Sequence, residues 1–208
     1  IRMLGPGLPL AAIVRAGSPQ QVAEVRRSMD RDYPAGLAFG LTEPNVGSNA
    51  LDITTTAKAV GDLWVLNGTK EFITGAGLVK EAGEHGYAII LAQTMNHGNP
   101  VGIAAFIVKG DNHGYTVGSS YEKRGLHGSD TRPVILDNCR VPLDARLGWH
   151  TVMTEGFGAL PKVASVLKAT LETTRPYVAA LALGIATRAY DIALYAATQA
   201  KQVKGKPL

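Results

Sequence analysis

Between residues 37 and 148 the chain sustains no helical hydrophobic period. Short β-branched or alternating runs are instead cut about every ten residues by Gly, Asn, Asp or Pro. Ile53–Val60 and Leu63–Asn67 flank Gly61-Asp62, which reads as a tight hairpin turn. Tyr87–Gln93, Gly102–Lys109, Tyr115–Gly118 and Pro133–Leu136 are further strand candidates. Many short strands with no helix between them predict an α+β chain whose centre is an antiparallel barrel or sandwich. A doubly wound α/β sheet is disfavoured, because it needs a helix after each strand.

Helical patterns flank this stretch. Leu8–Val14 is apolar, Gly17-Ser18-Pro19 interrupts it, and Pro19–Met29 resumes. Ser18 before Pro19 is an N-cap followed by proline at the first helical position, and Val22, Val25 and Met29 share one face. Residues 156–203 are again helical, with Pro176 where a helix can start after Thr174 and with Val178, Leu181, Ile185 and Ile192 at helical spacing. From Pro176 to Lys201 the charges are Arg188, Asp191 and Lys201 alone, so that helix is apolar on most sides and needs partners on most sides.

Several classes are excluded or disfavoured. The longest clean apolar run, Val178–Ala186, is far shorter than the roughly 20 residues of a membrane span, so no span is expected. A single cysteine, Cys139, in an Asn-Cys-Arg-Val-Pro loop, excludes an intrachain disulfide and fits a reducing compartment. Net charge is +4, but Arg26-Arg27 and Lys123-Arg124 are pairs rather than patches, which argues against nucleic acid. The five histidines show no metal-ligand spacing. No small-residue cleavage pattern follows the apolar opening, so a signal peptide is not expected, and Ile1 in place of an initiator Met reads as part of a longer product.

Three segments can carry chemistry. Leu41-Thr42-Glu43-Pro44-Asn45-Val46-Gly47-Ser48 is a polar turn whose backbone can approach a phosphate or a ring edge, or simply a strand-to-loop turn. Asn67–Gly75 places Phe72 and Thr74 on one strand face, where an aromatic beside a hydroxyl can cradle a planar cofactor or merely decorate a sheet. Glu172-Thr173-Thr174-Arg175-Pro176 reads first as capping chemistry at a helix start. Glu43, Glu155 and Glu172 are loose candidates for a base.

In order and spacing, these pieces resemble the flavin-dependent acyl-CoA dehydrogenase family. The run begins Leu41-Thr42-Glu43-Pro44-x-x-Gly47-Ser48, then Gly61-Asp62, Trp64-Val65-Leu66-Asn67-Gly68-x-Lys70 and Phe72-Ile73-Thr74. It continues with Gly102-Ile103-x-x-Phe106-Ile107-Val108, Lys123-x-Gly125, Ser129-x-Thr131, Val141-Pro142, Gly156-Phe157 and Thr174-Arg175-Pro176. The last piece looks most like the medium-chain branch.

The resemblance implies the end of an N-terminal helical domain (1–36), a β-barrel that binds FAD and acyl-CoA (37–148), and the first helices of a C-terminal bundle (149–208). It implies FAD as cofactor, with Leu41, Thr42, Gly47, Ser48, Phe72 and Thr74 around it; Phe72 stands where the family usually has Trp. It implies acyl-CoA as substrate, met by Ser48, Glu172 and Arg175. The activity implied is an acyl-CoA dehydrogenase of the β-oxidation type, passing electrons to electron-transfer flavoprotein and working as a homo- or hetero-oligomer, such as a homotetramer. The place implied is the mitochondrial matrix in a eukaryote, otherwise the cytoplasm.

The sequence also departs from the family. No catalytic base matches: the usual Glu would lie beyond the chain, and Thr174 stands where a second branch carries one. Gln199 replaces an Arg, residues 201–205 replace a Phe-Gly segment, and Asn49 stands where Asp is common. An inactive, interaction-type relative is therefore the alternative reading, and an acyl-CoA oxidase is a nearby enzyme alternative.

Overall fold

The computed structural model describes residues 7–30, 36–49, 52–155 and 160–199. Two compact units are present, Ile1–Thr170 and Leu171–Leu208.

In the first unit, α1 (Gly7–Ala16) and α2 (Pro19–Met29) precede the sheet. The Ser18 cap forms as expected: its side chain accepts from Gln21 N–H while the Gln21 side chain accepts from Ser18 N–H. The face of α2 differs from the expected one. Val25 and Ser28 are buried whereas Met29 is exposed, and Ser28 reaches the Tyr87 hydroxyl at 2.9 Å.

Seven strands follow: β1 (Leu37–Gly40), β2 (Thr56–Val60), β3 (Leu63–Thr74), β4 (Tyr87–Asn96), β5 (Asn99–Lys109), β6 (Tyr115–Val117) and β7 (Thr131–Pro142). The sheet is mixed, which corrects the antiparallel expectation. β1 and β2 both pair parallel with β4, at Leu37↔Tyr87 and Thr56↔Gln93, and so lie end to end along one side of it. The remaining pairings, β2–β3, β3–β7, β6–β7 and β4–β5, are antiparallel. Nor does the barrel close, since β5 and β6 each pair with a single strand. Side chains from all seven strands nevertheless share one buried cluster, including Ala38, Ala57, Leu66, Ile90, Phe106, Tyr115 and Val134, so the sheet curls around it.

The central hairpin is buried on both faces. Ala88, Ile90 and Ala92 of β4 enter the cluster inside the curl with Ala104, Phe106 and Val108 of β5. Their alternates Tyr87, Ile89, Leu91, Ala105 and Ile107 pack under α1 and α2 with Ala12, Ile13 and Val25. A strand buried on both faces reads as a continuous apolar run, and Tyr-Ala-Ile-Ile-Leu-Ala is one.

A short helix unforeseen in the sequence, α3 (Ala76–Ala82), sits between β3 and β4. It starts at Gly75, whose φ of +81° and whose approach to the Leu37 carbonyl leave no room for a side chain. Cys139 lies within β7 rather than in a loop; burial pushes its thiol up to about 12, so it is an inert core group.

Beyond α4 (Trp149–Glu155) runs α5 (Leu160–Gln199), a single 40-residue helix that supplies the second unit from Leu171 onward. Pro176 lies inside it and does not start it. The ring removes one hydrogen bond, a cost of about 3 kcal/mol that helix-favouring residues on both sides outweigh. The same continuity changes the membrane argument. Arg175–Gln199 contains an 18-residue stretch with a mean hydropathy of 1.3 and nothing buried, and is long and apolar enough to cross a membrane by length and composition. An unbroken-run criterion did not reveal this.

Candidate functional site

The loop after β1 is organised by one buried carboxylate. Glu43 and Val46 exchange backbone hydrogen bonds of 2.9 and 3.1 Å around Pro44-Asn45. The Glu43 side chain then accepts from the backbone and hydroxyl of both Thr54 and Thr55 at 2.5–3.0 Å, and from Lys70 Nζ at 2.7 Å. Lys70 has no exposed surface and Glu43 almost none. Burial pushes the carboxyl up, but the Lys70 and threonine hydrogen bonds outweigh it and hold Glu43 down near 2. Burial pulls Lys70 below its ordinary range, and Glu43 opposes that pull. Glu43 is thus a structural anion and not the loose base that its sequence position allowed.

That ion pair brings two of the expected segments together. Lys70 also donates to the Leu41 carbonyl at 3.2 Å, and Glu71 N–H donates to the Thr42 carbonyl at 2.9 Å. Leu41 and Thr42 therefore lie against β3 immediately before Phe72. Pairing of β3 with β7 breaks between Lys70 and Ile73, and in this bulge Phe72 takes a left-handed φ of 59°. The residue is 64% exposed while Ile73 is buried. A large aromatic held open on strained backbone has a functional explanation more readily than a packing one.

Thr74 ends β3 opposite Thr131, with the two hydroxyls 3.4 Å apart, and Lys123 Nζ reaches Thr131 Oγ1 at 3.0 Å. Asp130 fixes this end of the strand by accepting from Gly77 N–H through its side chain and from Gly75 N–H through its carbonyl. Gly47 and Ser48 are exposed past the Glu43–Val46 turn, and a Cβ at Gly47 would meet nothing within 4 Å. Asn49, standing where Asp is common, donates to the Asp52 carboxylate at 2.5 Å, a contact a second carboxylate would turn into repulsion.

Glu172 and Arg175 belong to the second unit and are exposed on α5. Gly156-Phe157 and residues 201–205 lie outside the described residues. Two contributors were missed in the sequence: the Glu43–Lys70 pair, of which Glu43 was read only as a loose base and Lys70 only as a motif letter, and Tyr121, which no motif contained. A cavity of about 880 Å³ lies elsewhere, between α2, β5 and β7, lined among others by Glu24, Lys109, Asp111 and Arg140. It touches none of the expected site residues and holds a half-exposed Lys109–Glu24 pair, so it is not the site argued for here.

The curled mixed sheet thus sets hydroxyls and an exposed aromatic along one strand end. Residues 38–139 match the acyl-CoA dehydrogenase middle domain. The chain is 38% identical over 197 residues to the human mitochondrial short-chain specific acyl-CoA dehydrogenase, covering 93% of this chain and 43% of that protein. It superposes on the butyryl-CoA dehydrogenase of Megasphaera elsdenii with a TM-score of 0.77 at 34% identity, over 97% of this chain and 48% of that one. An acyl-CoA dehydrogenase from Bacillus anthracis complexed with FAD gives 0.76 at 30% identity, over 97% and 31%. This chain belongs to the acyl-CoA dehydrogenase family, a family of oxidoreductases. It spans less than half the length of these relatives.

Proposed function

We propose that the chain is the FAD- and acyl-CoA-binding portion of an acyl-CoA dehydrogenase that forms α,β-unsaturated thioesters. The single observation that carries this reading is the exposed Phe72, held at φ 59° beside Thr42 and Thr74. A planar ring needs an apolar wall and polar groups at its edge, and this segment has both. The bound FAD in the Bacillus anthracis relative supports the same cofactor here. When bound, FAD supplies the two-electron acceptor.

The chain's own residues would do the following. Phe72 walls the ring and excludes water from it. Thr42 and Thr74 present hydroxyls to the ring edge, while Leu41 sets the strand end beneath it. Gly47 leaves backbone open to a pyrophosphate, and Ser48 serves the pyrophosphate and the thioester substrate. Glu172 and Arg175 serve the acyl-CoA side. Glu43 is not assigned as the base that takes the α-proton, because it is locked against Lys70. Activity requires the complete oligomeric assembly with electron-transfer flavoprotein as acceptor.

Gln199, standing where the family carries an Arg, favours the second reading, a non-catalytic subunit. Anaerobic addition of acyl-CoA to the flavin-loaded assembly separates the two. Bleaching of the flavin band is expected for the enzyme; a protein that binds FAD yet leaves its spectrum unchanged with every acyl chain length overturns catalysis.

A further inference from the structure

Tyr121 has no part in the reading above, yet three contacts tie it to the strained segment. Its backbone N–H donates to the Thr131 carbonyl at 2.9 Å, which anchors it to β7 opposite Thr74. Its hydroxyl donates to the Glu71 carboxylate, a bond that raises the Tyr121 phenol to about 12. Its ring lies 5.0 Å from that of Phe72, tilted by 40°.

No ladder pairing is made by Glu71 or Phe72, and the left-handed backbone of Phe72 costs free energy that neighbouring contacts must offset. One of those contacts is Glu71 N–H to Thr42 on the loop side. Tyr121 supplies two more, gripping Glu71 by its hydroxyl and Phe72 by its ring. Phe72 also presents a smaller ring than the Trp the family usually carries there, and Tyr121 extends that aromatic surface.

We propose that Tyr121 is a positioning residue: with Phe72 it forms a two-ring wall that replaces one indole, and it fixes the orientation of Phe72 toward a planar cofactor. This rests on the flavin reading. It makes Tyr121 a determinant of cofactor affinity and of the flavin's environment without requiring contact with the reacting atoms.

The test compares the full chain with its Y121F, Y121A and F72W/Y121A variants, each titrated with FAD and followed by flavin fluorescence, visible spectrum and midpoint potential. Loss of an aromatic pair predicts about three- to tenfold weaker FAD binding in Y121A, with a shifted flavin spectrum. Y121F keeps the ring contact and is expected to lose less than Y121A. In F72W/Y121A the indole replaces the pair, so affinity and spectrum return toward the parent. Unchanged binding in Y121A, or no recovery in F72W/Y121A, overturns the proposal.

Amide exchange at Glu71 in the flavin-free protein decides the positioning role independently. Y121A should accelerate it about tenfold, while Y121A exchange equal to the parent's means Tyr121 does not hold the bulge. Should the parent chain bind no FAD, the flavin reading fails by itself, and the exchange result still rules on Tyr121.

Discussion

The β4–β5 hairpin and the α5 helix are both rich in apolar residues, yet the chain treats them in opposite ways. Ile89 and Ile90 of β4 have no exposed surface, because one faces α1 and α2 and the other faces the inside of the curl. Tyr177, Leu183, Ile185 and Tyr195 of α5 are each more than half exposed. The hairpin finds both partners within this sequence, whereas the helix finds none among the described residues. Apolar composition alone therefore says that a segment will be covered, and only the neighbouring elements say by what. On the reading proposed here the cover for α5 is further helix, from the rest of the bundle or from another subunit.

The largest effect should come from the buried ion pair that ties loop to sheet. Lys70→Met leaves Glu43 as an uncompensated buried charge, with an expected loss of about 3–5 kcal/mol in urea denaturation. A loss under about 1 kcal/mol would mean the pair is not buried in solution. Next, Ile90→Ala should cost about 2–5 kcal/mol through cavity formation. The same truncation at Ile192 of α5 should stay within about 0.5 kcal/mol in the chain alone. Equal costs at the two sites would erase the contrast between hairpin and helix.

Acid provides a finer probe. Glu43 is held near 2, below its ordinary 4.5, so the folded state favours its ionised form. That stabilisation is complete above pH 4.5 and is lost as pH falls toward 2, and melts of Glu43→Gln should lack this dependence. Identical acid profiles for the two proteins would contradict the assignment. A modest effect is expected at the α2 cap, where Ser18→Ala should cost about 1 kcal/mol without altering the sheet.

Much of the fold was legible because it is local. The Gly61-Asp62 hairpin, the β4 run from Tyr87 and the Ser18-Pro19 helix start each announce themselves within a few residues. What escaped depends on residues distant in sequence. Nothing near Thr56 reveals that it pairs parallel with Gln93 rather than antiparallel with some other strand. Pro176 looked like a start because local rules place proline there, but the flanking helix formers carry the helix through it. At the site, Phe72 and Thr74 were recognisable as motif residues, while the left-handed turn of Phe72 follows from the bulge against β7 and not from its own identity. The partners that organise the site are also distant in sequence: Glu43 meets Lys70 across 27 residues, and Tyr121 meets Glu71 across 50.

The central claim is that the loop at 41–48 and the bulge at 71–74 together form the flavin site on a sheet that is already complete. Amide hydrogen exchange with and without FAD tests it directly. At exchange times that sample local opening only, FAD should slow exchange across residues 41–48 and 71–75, while the doubly buried 87–92 segment of β4 is protected with and without it. FAD binding that leaves 71–75 unprotected, or that protects β4 instead, would contradict it.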